Sequence, residues 1–585
     1  MADTIQLSIN NKQYEVASNT TVLEAVRQAN INIPTLCYLK EINEIGACRM
    51  CLVEIEGVNA LQASCVHPVR EGMVIHTHSK RVRAARKMNF ELILSNHVRD
   101  CFQCIRNNNC ELRQLAGDMG VETIRFKSQP PSCKIDNNNP SMVRNNAKCI
   151  LCRRCVAVCK HVQKIEAIDV TMRGMHTSIN GAFERPIRDT ECILCGQCVN
   201  ACPTGALSEK TAINEVLHAI DNPDKHVVVQ IAPAIRAALG EEFGLPIGTN
   251  VTGKIPNAAR ILGFNKVFDT NFSADLTIME EGMELLDRIT NKGTLPMITS
   301  CSPGWVKYCE HFYPELIDNL STCKSPHMMF GAIIKSYYAK KAKIESKNIV
   351  TVSVMPCIAK KYEAAREEGY VDGVRDVDYV ITTREFATMI KSASINFNQL
   401  EDEEFDTFHG NTGSGVIFGA TGGVMESALR TVADTLNTTP SKELEYRTIR
   451  GPKGIKEVII QAGDMEVHGL VISGVGHAKD ILNTMLKNNE ISKYHFIEVM
   501  GCPGGCIMGG GQPIVNPLTK QVVNVFEKRA SVLYTADKHA VVRKSYENPD
   551  IIALYDAFLG QPNSNIAHKY LHTHYKPKER FGRIE

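Results

Sequence analysis

The residues best suited to chemistry are cysteines, twenty-two of them, unevenly placed along 585 residues. In EVMGCPGGCIMGGGQP (498–513), Cys502 and Cys506 sit four apart among glycines at 504, 505 and 509 to 511. Glycine there lets backbone approach a bulky inorganic group and adopt positive φ. Cys301 in TSCSPGW and Cys357 in MPCIAKKYE occupy similar loops far upstream. Four thiolates from separate loops make a ligand set for an iron–sulfur cube.

Three further groups have metal-ligand spacing. Cys37, Cys48, Cys51 and Cys65 surround the short loop GACRMC, with a gap from 37 to 48 wider than in plant-type ferredoxins. His97 then precedes Cys101, Cys104 and Cys110, three thiolates that lack a fourth partner. If the preceding helix continues, His97 and Cys101 lie one turn apart and face the same way. On ligand types alone, zinc competes with a cube at this site. CILCRRCVAVCK and CILCGQCVNACP repeat the run of bacterial two-cluster ferredoxins, in which the fourth cysteine ligates the other cluster. One cube is therefore expected on Cys149, Cys152, Cys155 and Cys202, the other on Cys192, Cys195, Cys198 and Cys159. Lys160 replaces the motif's proline in the first copy, and Cys133 reads as a free thiol.

These ligands need elements to hold them. TIQLSI and KQYEVA alternate about the turn-like NNK and predict a β-hairpin. TTVLEAVRQAN has helical apolar spacing behind threonines that could cap it. Beyond residue 209, VVVQIAP, LPMITS, IVTVSVMP, HGLVISGV and YHFIEVM read as strands alternating with helices. Three of them run into the cysteine loops, which predicts an open, largely parallel sheet with its site at one edge.

The chain is too long for one core, and its 44% hydrophobic and 22% charged content is that of a globular protein. A net charge of +2 argues against nucleic acid or an anionic membrane as partner. No apolar run approaches the ~18 residues of a spanning helix. The first residues, MADTIQLSINNKQYEV, lack the basic and apolar regions of a signal peptide, so a cytoplasmic location is expected. Disulfides are disfavoured there, and the clustered C-x-x-C groups favour metal.

TSC-x-P-x-W, MPC-x-x-K-x-x-E and E-x-M-x-C-x-x-G-C-x-x-GGG-x-P resemble the three signatures of iron-only ([FeFe]) hydrogenases, and the resemblance extends over essentially the whole chain. It implies an H-cluster, a [4Fe-4S] cube joined to a two-iron unit bearing CO, cyanide and a bridging dithiolate. By motif position, Cys506 would bridge the two parts, with Cys357 and Cys502 on the cube. Lys360 would offset the charge of a cyanide, and Met355 and Met500 would pack on the di-iron unit. Ala232, Pro233 and Ala234 would line one wall, with Phe418, Gly419, Thr421 and Gly422 closing another. Typical members have two adjacent cysteines, a relay and then a ligand, where this chain has Cys301 and Ser302. The expectation is that Cys301 ligates and Ser302 takes the polar role; the reverse, Cys301 relaying protons and Ser302 ligating, stays open. Glu281 and Glu284, three apart on one helical face, match with Ser321 the family's proton path, and Arg288 is expected at its mouth. Raised carboxyl pKa values would suit such a relay. Cys309 and Cys323 are expected to be ordinary buried thiols.

The implied fold class is α/β and α+β multidomain. It comprises a β-grasp [2Fe-2S] domain (1–79), similar also to the complex I large subunit, and a His/Cys3 [4Fe-4S] domain (80–138) completed by His97. A two-[4Fe-4S] ferredoxin domain (139–208), an α/β H-cluster catalytic domain (209–524) and a small-subunit-like segment (525–585) follow. His568, His572 and His574 in that segment are given a packing role. The implied cofactors are one [2Fe-2S] cluster, three accessory [4Fe-4S] clusters and the H-cluster. The implied function is reversible hydrogen oxidation, with electrons passing to ferredoxin or to flavin- and NAD(P)-binding partner subunits of a hetero-oligomer. The array looks most like the catalytic subunit of NAD(P)-linked, electron-bifurcating hydrogenases. No G-x-G-x-x-G follows a strand, so a nicotinamide reaction would need a partner. The alternatives are an H2-sensing or low-activity relative, which Ser302 keeps alive, and a non-catalytic iron–sulfur electron-transfer or assembly protein.

Overall fold

The alternating N-terminal segments pair as antiparallel strands, Thr4–Ile9 with Lys12–Ala17, in the computed structural model, which describes residues 3–126, 135–406, 412–436, 444–462 and 465–579. Cys133 lies outside the described residues. Val74–His76, Leu52–Ile55 and Gln62–Ala63 extend the hairpin into a five-stranded sheet. Helix Val22–Gln28 packs its apolar face on that sheet. The Thr21 side chain accepts from the Glu24 amide and satisfies one of the free donors at the helix start.

Helix Lys80–Ser95 starts on a Ser79 cap, but it does not continue to the cysteines. It ends at Ser95, and the Asn96 and His97 amides bond back to Ile93 and Leu94. The Val98 amide then donates to Ala147 O, 3.0 Å away in the ferredoxin repeat. His97 and Cys101 therefore do not share a helix face, and a capped end places His97 instead. The two ferredoxin-like repeats each turn into a short helix, Arg154–Ala157 and Gln197–Ala201, and share one apolar core in which Cys155, Cys202 and Ile358 meet.

The catalytic region holds two four-stranded sheets rather than the single open sheet expected. The first is wholly parallel, in the order Lys266–Asp269, His226–Ile231, Ile349–Met355, Tyr379–Thr382. The second runs Met297–Ile298, Phe496–Met500, Met465–Ser473, Ile455–Ala462, with its last pair antiparallel. Strands buried on both faces read as plain apolar runs, and nothing in such a run says which other run it pairs with. His226–Ile231 and Ile349–Met355 from one sheet, and Met297–Ile298 and Phe496–Met500 from the other, send their C-terminal ends toward one pocket. A switch between sheets is where an α/β fold opens a crevice. Helix Val525–His539 packs over the turn Pro233–Ala237 and helix Gly413–Ile417, so the C-terminal segment is part of this core. No helix among the described residues is long and apolar enough to cross a membrane.

Candidate active site

The pocket has a cavity volume of about 90 Å³ and is lined by Ala232, Pro233 and Ala234, by Met355 and Cys357, and by Met500, Cys502 and Cys506, with Cys301, Ser302, Lys360, Phe418 and Gly419. Thr421 and Gly422 stand behind its wall rather than on it. The Gly422 amide donates to the buried Glu498 carboxylate at 2.6 Å, and Gly505 presses on the Thr421 backbone. A Cβ on Gly505, whose φ is +82°, would come within 2.7 Å of the Thr421 nitrogen; one on Gly509 would meet Pro356 O at 2.3 Å. The wrap around Cys506 therefore admits no side chain at either position.

Burial pushes the Cys357, Cys502 and Cys506 thiols up, Cys506 to about 12, and the neighbouring thiols Cys357 and Cys506 add to the rise at Cys502. Three such acids crowded into an apolar pocket suit a cationic centre, which takes them as thiolates and relieves their repulsion. The donor set thus fits an iron–sulfur cube.

Lys360 Nζ donates to Glu363 Oε2 at 2.6 Å and to the Cys301 carbonyl at 3.0 Å. Burial pushes the Glu363 carboxyl up, but Lys360 and His327 overcome it and hold the group down to about 2. His327 Nε2 lies 2.7 Å from the same Oε2. The lysine is thus a cation fixed on the pocket wall by an anchored carboxylate. His327, which also lines the pocket, was not legible: it sits in SPHMMF, an apolar helix start without a motif.

Cys301 and Ser302 face different surroundings. Cys301 packs against the cluster that contains Ala274, Ile278, Phe418 and Met500. Burial pushes its thiol up, and Glu281 is the neighbouring charge that adds most. Ser302 Oγ accepts from the Gly501 amide at 3.0 Å, one residue before Cys502. On helix Asn271–Thr290, Glu281 and Glu284 are both buried. Burial, and then Glu284, push the Glu281 carboxyl up to about 8, and its Oε2 has no hydrogen-bond partner. Ser321 Oγ donates to Glu284 Oε2 at 2.9 Å, and Arg288 Nη2 donates to Glu284 Oε1 at 2.6 Å. Ser321, Glu284 and Arg288 are thus joined by hydrogen bonds, and Glu281 lies close enough to Glu284 and to Cys301 to shift or feel their charge. A carboxyl poised near neutrality can both take and give a proton there.

The other cysteine groups are also assembled. Cys51 and Cys65 thiols lie 3.3 Å apart, and the Leu36 amide donates to Cys48 Sγ. Bonding to Cys37 holds the Cys48 thiol down to about 6. Burial pushes His97 down to about 4, so its ring is neutral at pH 7, and Nδ1 is buried without a partner. A neutral ring with an unused, buried nitrogen is what a metal ligand requires. Cys309 and Cys323 are both buried, the Cys309 thiol toward Tyr313 O and the Cys323 Sγ 3.7 Å from Glu284 Oε2.

Polar side chains stitch the groups into a series. Asn43 Nδ2 donates to the carbonyls of both Cys37 and Cys152, at 2.7 and 3.0 Å. Arg106 Nη1 donates to Cys202 O at 2.9 Å, and Cys104 Sγ abuts Gly205. Gln163 donates to Gly501 O, Gln197 to Met508 O and Asn200 to Gly509 O. The loop of Cys195 is thereby held against that of Cys502, whose Sγ lies 4.0 Å from Cys195 O. None of these bridging residues carries a sequence signal, because their partners are backbone carbonyls.

Comparison with known proteins agrees with this geometry. The family model for the iron only hydrogenase large subunit, C-terminal domain, matches residues 225–510, and that for the iron hydrogenase small subunit matches 523–578. A 2Fe-2S iron-sulfur cluster binding domain matches 2–80, an NADH-ubiquinone oxidoreductase-G iron-sulfur binding region 86–125, and a 4Fe-4S dicluster domain 148–206. The chain is 46% identical to an NADP-reducing hydrogenase subunit of Solidesulfovibrio fructosivorans, over 98% of this chain and 99% of that one. It is 43% identical to iron hydrogenase 1 of Clostridium pasteurianum, over 97% and 99%. The solved structure of apo [FeFe]-hydrogenase HydA1 from Chlamydomonas reinhardtii matches at 39% identity and TM-score 0.57, covering 63% of this chain and all of that one.

Proposed function

The chain belongs to the iron-only hydrogenase family, and we propose from that premise that it interconverts hydrogen with protons and electrons in the pocket between its two sheets. The observation that carries this reading is the convergence of Cys357 and Lys360, behind strand Ile349–Met355, with Cys502 and Cys506, behind strand Phe496–Met500, in one pocket. Bound there, an H-cluster would supply the iron centre at which the H–H bond is made or broken. Cys357 and Cys502 would hold its cube, and Cys506 would join the cube to the di-iron unit. Lys360 would offer its positive charge to a cyanide, and Met355, Met500, Phe418 and Ala232 to Ala234 would exclude water from the reacting atoms.

The geometry supports the second assignment that the sequence leaves open. Cys301 lies on the Glu281 side and takes the relay role, while Ser302, bonded to the Cys502 loop, offers oxygen as the fourth ligand of the cube. Protons then travel between Cys301, Glu281, Ser321 and Glu284 and leave beside Arg288. One [2Fe-2S] cluster on Cys37, Cys48, Cys51 and Cys65, and three accessory [4Fe-4S] clusters on His97 with Cys101, Cys104 and Cys110 and on the eight cysteines from Cys149 to Cys202, would carry the electrons. The order of contacts, Cys37 to Cys152 and Cys195 to Cys502, supports a continuous route. The 46% relative is described as NADP-reducing, and by likeness this chain passes its electrons to a flavin- and NAD(P)-binding partner subunit of a hetero-oligomer in the cytoplasm.

Hydrogen uptake by the matured holoenzyme, first with a viologen acceptor and then with NADP⁺ and the partner subunits, tests the reading. Viologen reduction alone, with NADP⁺ reduced only when partners are added, is the expected result. A protein that carries all its iron and sulfide yet reduces neither acceptor overturns it.

A further inference from the structure

Arg154 stands where three of the cysteine groups meet. One apolar cluster, built on Leu36, Phe90 and Leu112, takes in Cys48 of the first group, Cys110 of the second and Ile150 of the ferredoxin repeat. Arg154 opens the short helix Arg154–Ala157, two residues after Cys152 and one before Cys155. Its side chain is only 1% exposed, and its Nη1 donates to both oxygens of Glu111, at 2.8 and 2.9 Å. Nε and Nη2 are buried without a partner.

Glu111 directly follows Cys110, and its amide donates to Pro203 O, next to Cys202, at 3.1 Å. The ion pair therefore joins the His97 group to the cube site on Cys149, Cys152, Cys155 and Cys202. A guanidinium keeps its proton in a protein, and leaving two of its nitrogens dry and unpaired is costly. Burial works against this cation; Glu111 and then the Cys152 and Cys48 thiols work for it. Cys152 belongs to one cluster site and Cys48 to another, and Asn43 ties those two sites together.

We propose that Arg154 tunes the potential of the cube on Cys149, Cys152, Cys155 and Cys202, and more weakly that of the [2Fe-2S] centre, through this half-paired buried charge. The proposal rests on the cluster assignments of the hydrogenase reading above. Net charge and hydrogen bonding set iron–sulfur potentials, and side chains behind the ligands tune a metal centre. The guanidinium favours the form that carries one more electron, supplied by hydrogen, and so raises the potential; no proton moves and no bond is made. Glu111 acts with the opposite sign. Arg154 is a positioning residue, placed where the routes toward the [2Fe-2S] site and the His97 site part.

The test is a redox titration of the matured holoenzyme followed by EPR, with iron content, for the parent, Arg154→Met, Arg154→Lys and Glu111→Gln. Arg154→Met and Glu111→Gln break the same ion pair, so a merely structural role would disturb both alike. The proposal predicts opposite displacements. At the potential that half-reduces the parent's cube, the reduced-to-oxidised ratio should fall about tenfold in Arg154→Met, the scale of one lost hydrogen bond to a charged group. It should rise in Glu111→Gln, and Arg154→Lys should lie between Arg154→Met and the parent. The [2Fe-2S] signal should move in the same sense by less. Displacements of one sign in both variants, or parental ratios in both, overturn the proposal. Glu111→Gln keeps Arg154 in place, so if Arg154→Met assembles no cube, a parental or lowered ratio in Glu111→Gln still overturns it. A parent protein without accessory-cluster iron would remove the cluster assignments themselves.

Discussion

Glu281→Gln separates the cost of the proton relay from its use. In the fold the Glu281 carboxyl is pushed from 4.5 to about 8, first by burial and then by Glu284. A carboxyl with a raised pKa binds its proton more tightly when folded, so its stabilising contribution is complete below the unfolded pKa. It is lost as pH rises through the folded one. A rise from 4.5 to about 8 corresponds to ~5 kcal/mol in total, of which roughly 2.5 kcal/mol is lost between pH 6 and 9. Glutamine keeps the shape and cannot ionise. Relative to the parent, Glu281→Gln should therefore gain stability steadily from pH 6 to 9, read as a growing difference in Tm on otherwise identical holoenzyme. Over the same range it should lose hydrogen turnover by about 10²- to 10⁴-fold, the usual worth of a positioned proton carrier. A Tm difference independent of pH, or turnover that survives the substitution, would refute the reasoning.

Three other outcomes follow from the same geometry. Ser302→Cys should replace an oxygen ligand by sulfur and change the EPR spectrum of the reduced cube while leaving its iron content intact; an unchanged spectrum would mean that Ser302 does not touch the cube. His97→Ala should remove one cluster's worth of iron and slow NADP⁺-linked uptake more than viologen-linked uptake, whereas full iron content would mean that His97 is not a ligand. Lys360→Met leaves the buried Glu363 with His327 alone, at a cost of about 3–5 kcal/mol for a broken buried pair. Its Tm should fall along with turnover, and a variant as stable as the parent would contradict the anchoring role of that pair.

The ligand loops were legible because metal chemistry fixes residue type and spacing together: the cysteines at 149 to 202 carry their pairing in the motif. The hairpin at Thr4–Ala17 and the helix behind Thr21 were legible because alternation and capping are local. Strand pairing was not: five buried apolar runs fit one sheet or two, and only the fold separates Phe496–Met500 from Ile349–Met355. The break after Ser95 was missed because the apolar pattern runs smoothly to that point and the tie that redirects it, Val98 to Ala147, is a backbone bond. Asn43, Arg106 and Gln163 act on carbonyls, and Cys323 and His572 meet across nearly 250 residues of chain; no local pattern records either arrangement.

Infrared spectroscopy of the anaerobically purified, matured protein bears most directly on the central claim, that this pocket holds an H-cluster and turns over hydrogen. The account predicts sharp bands in the region of iron-bound CO and cyanide stretches, together with hydrogen uptake by the same sample. A fully matured protein with its accessory clusters in place but no such bands would contradict it and leave an electron-carrying iron–sulfur protein.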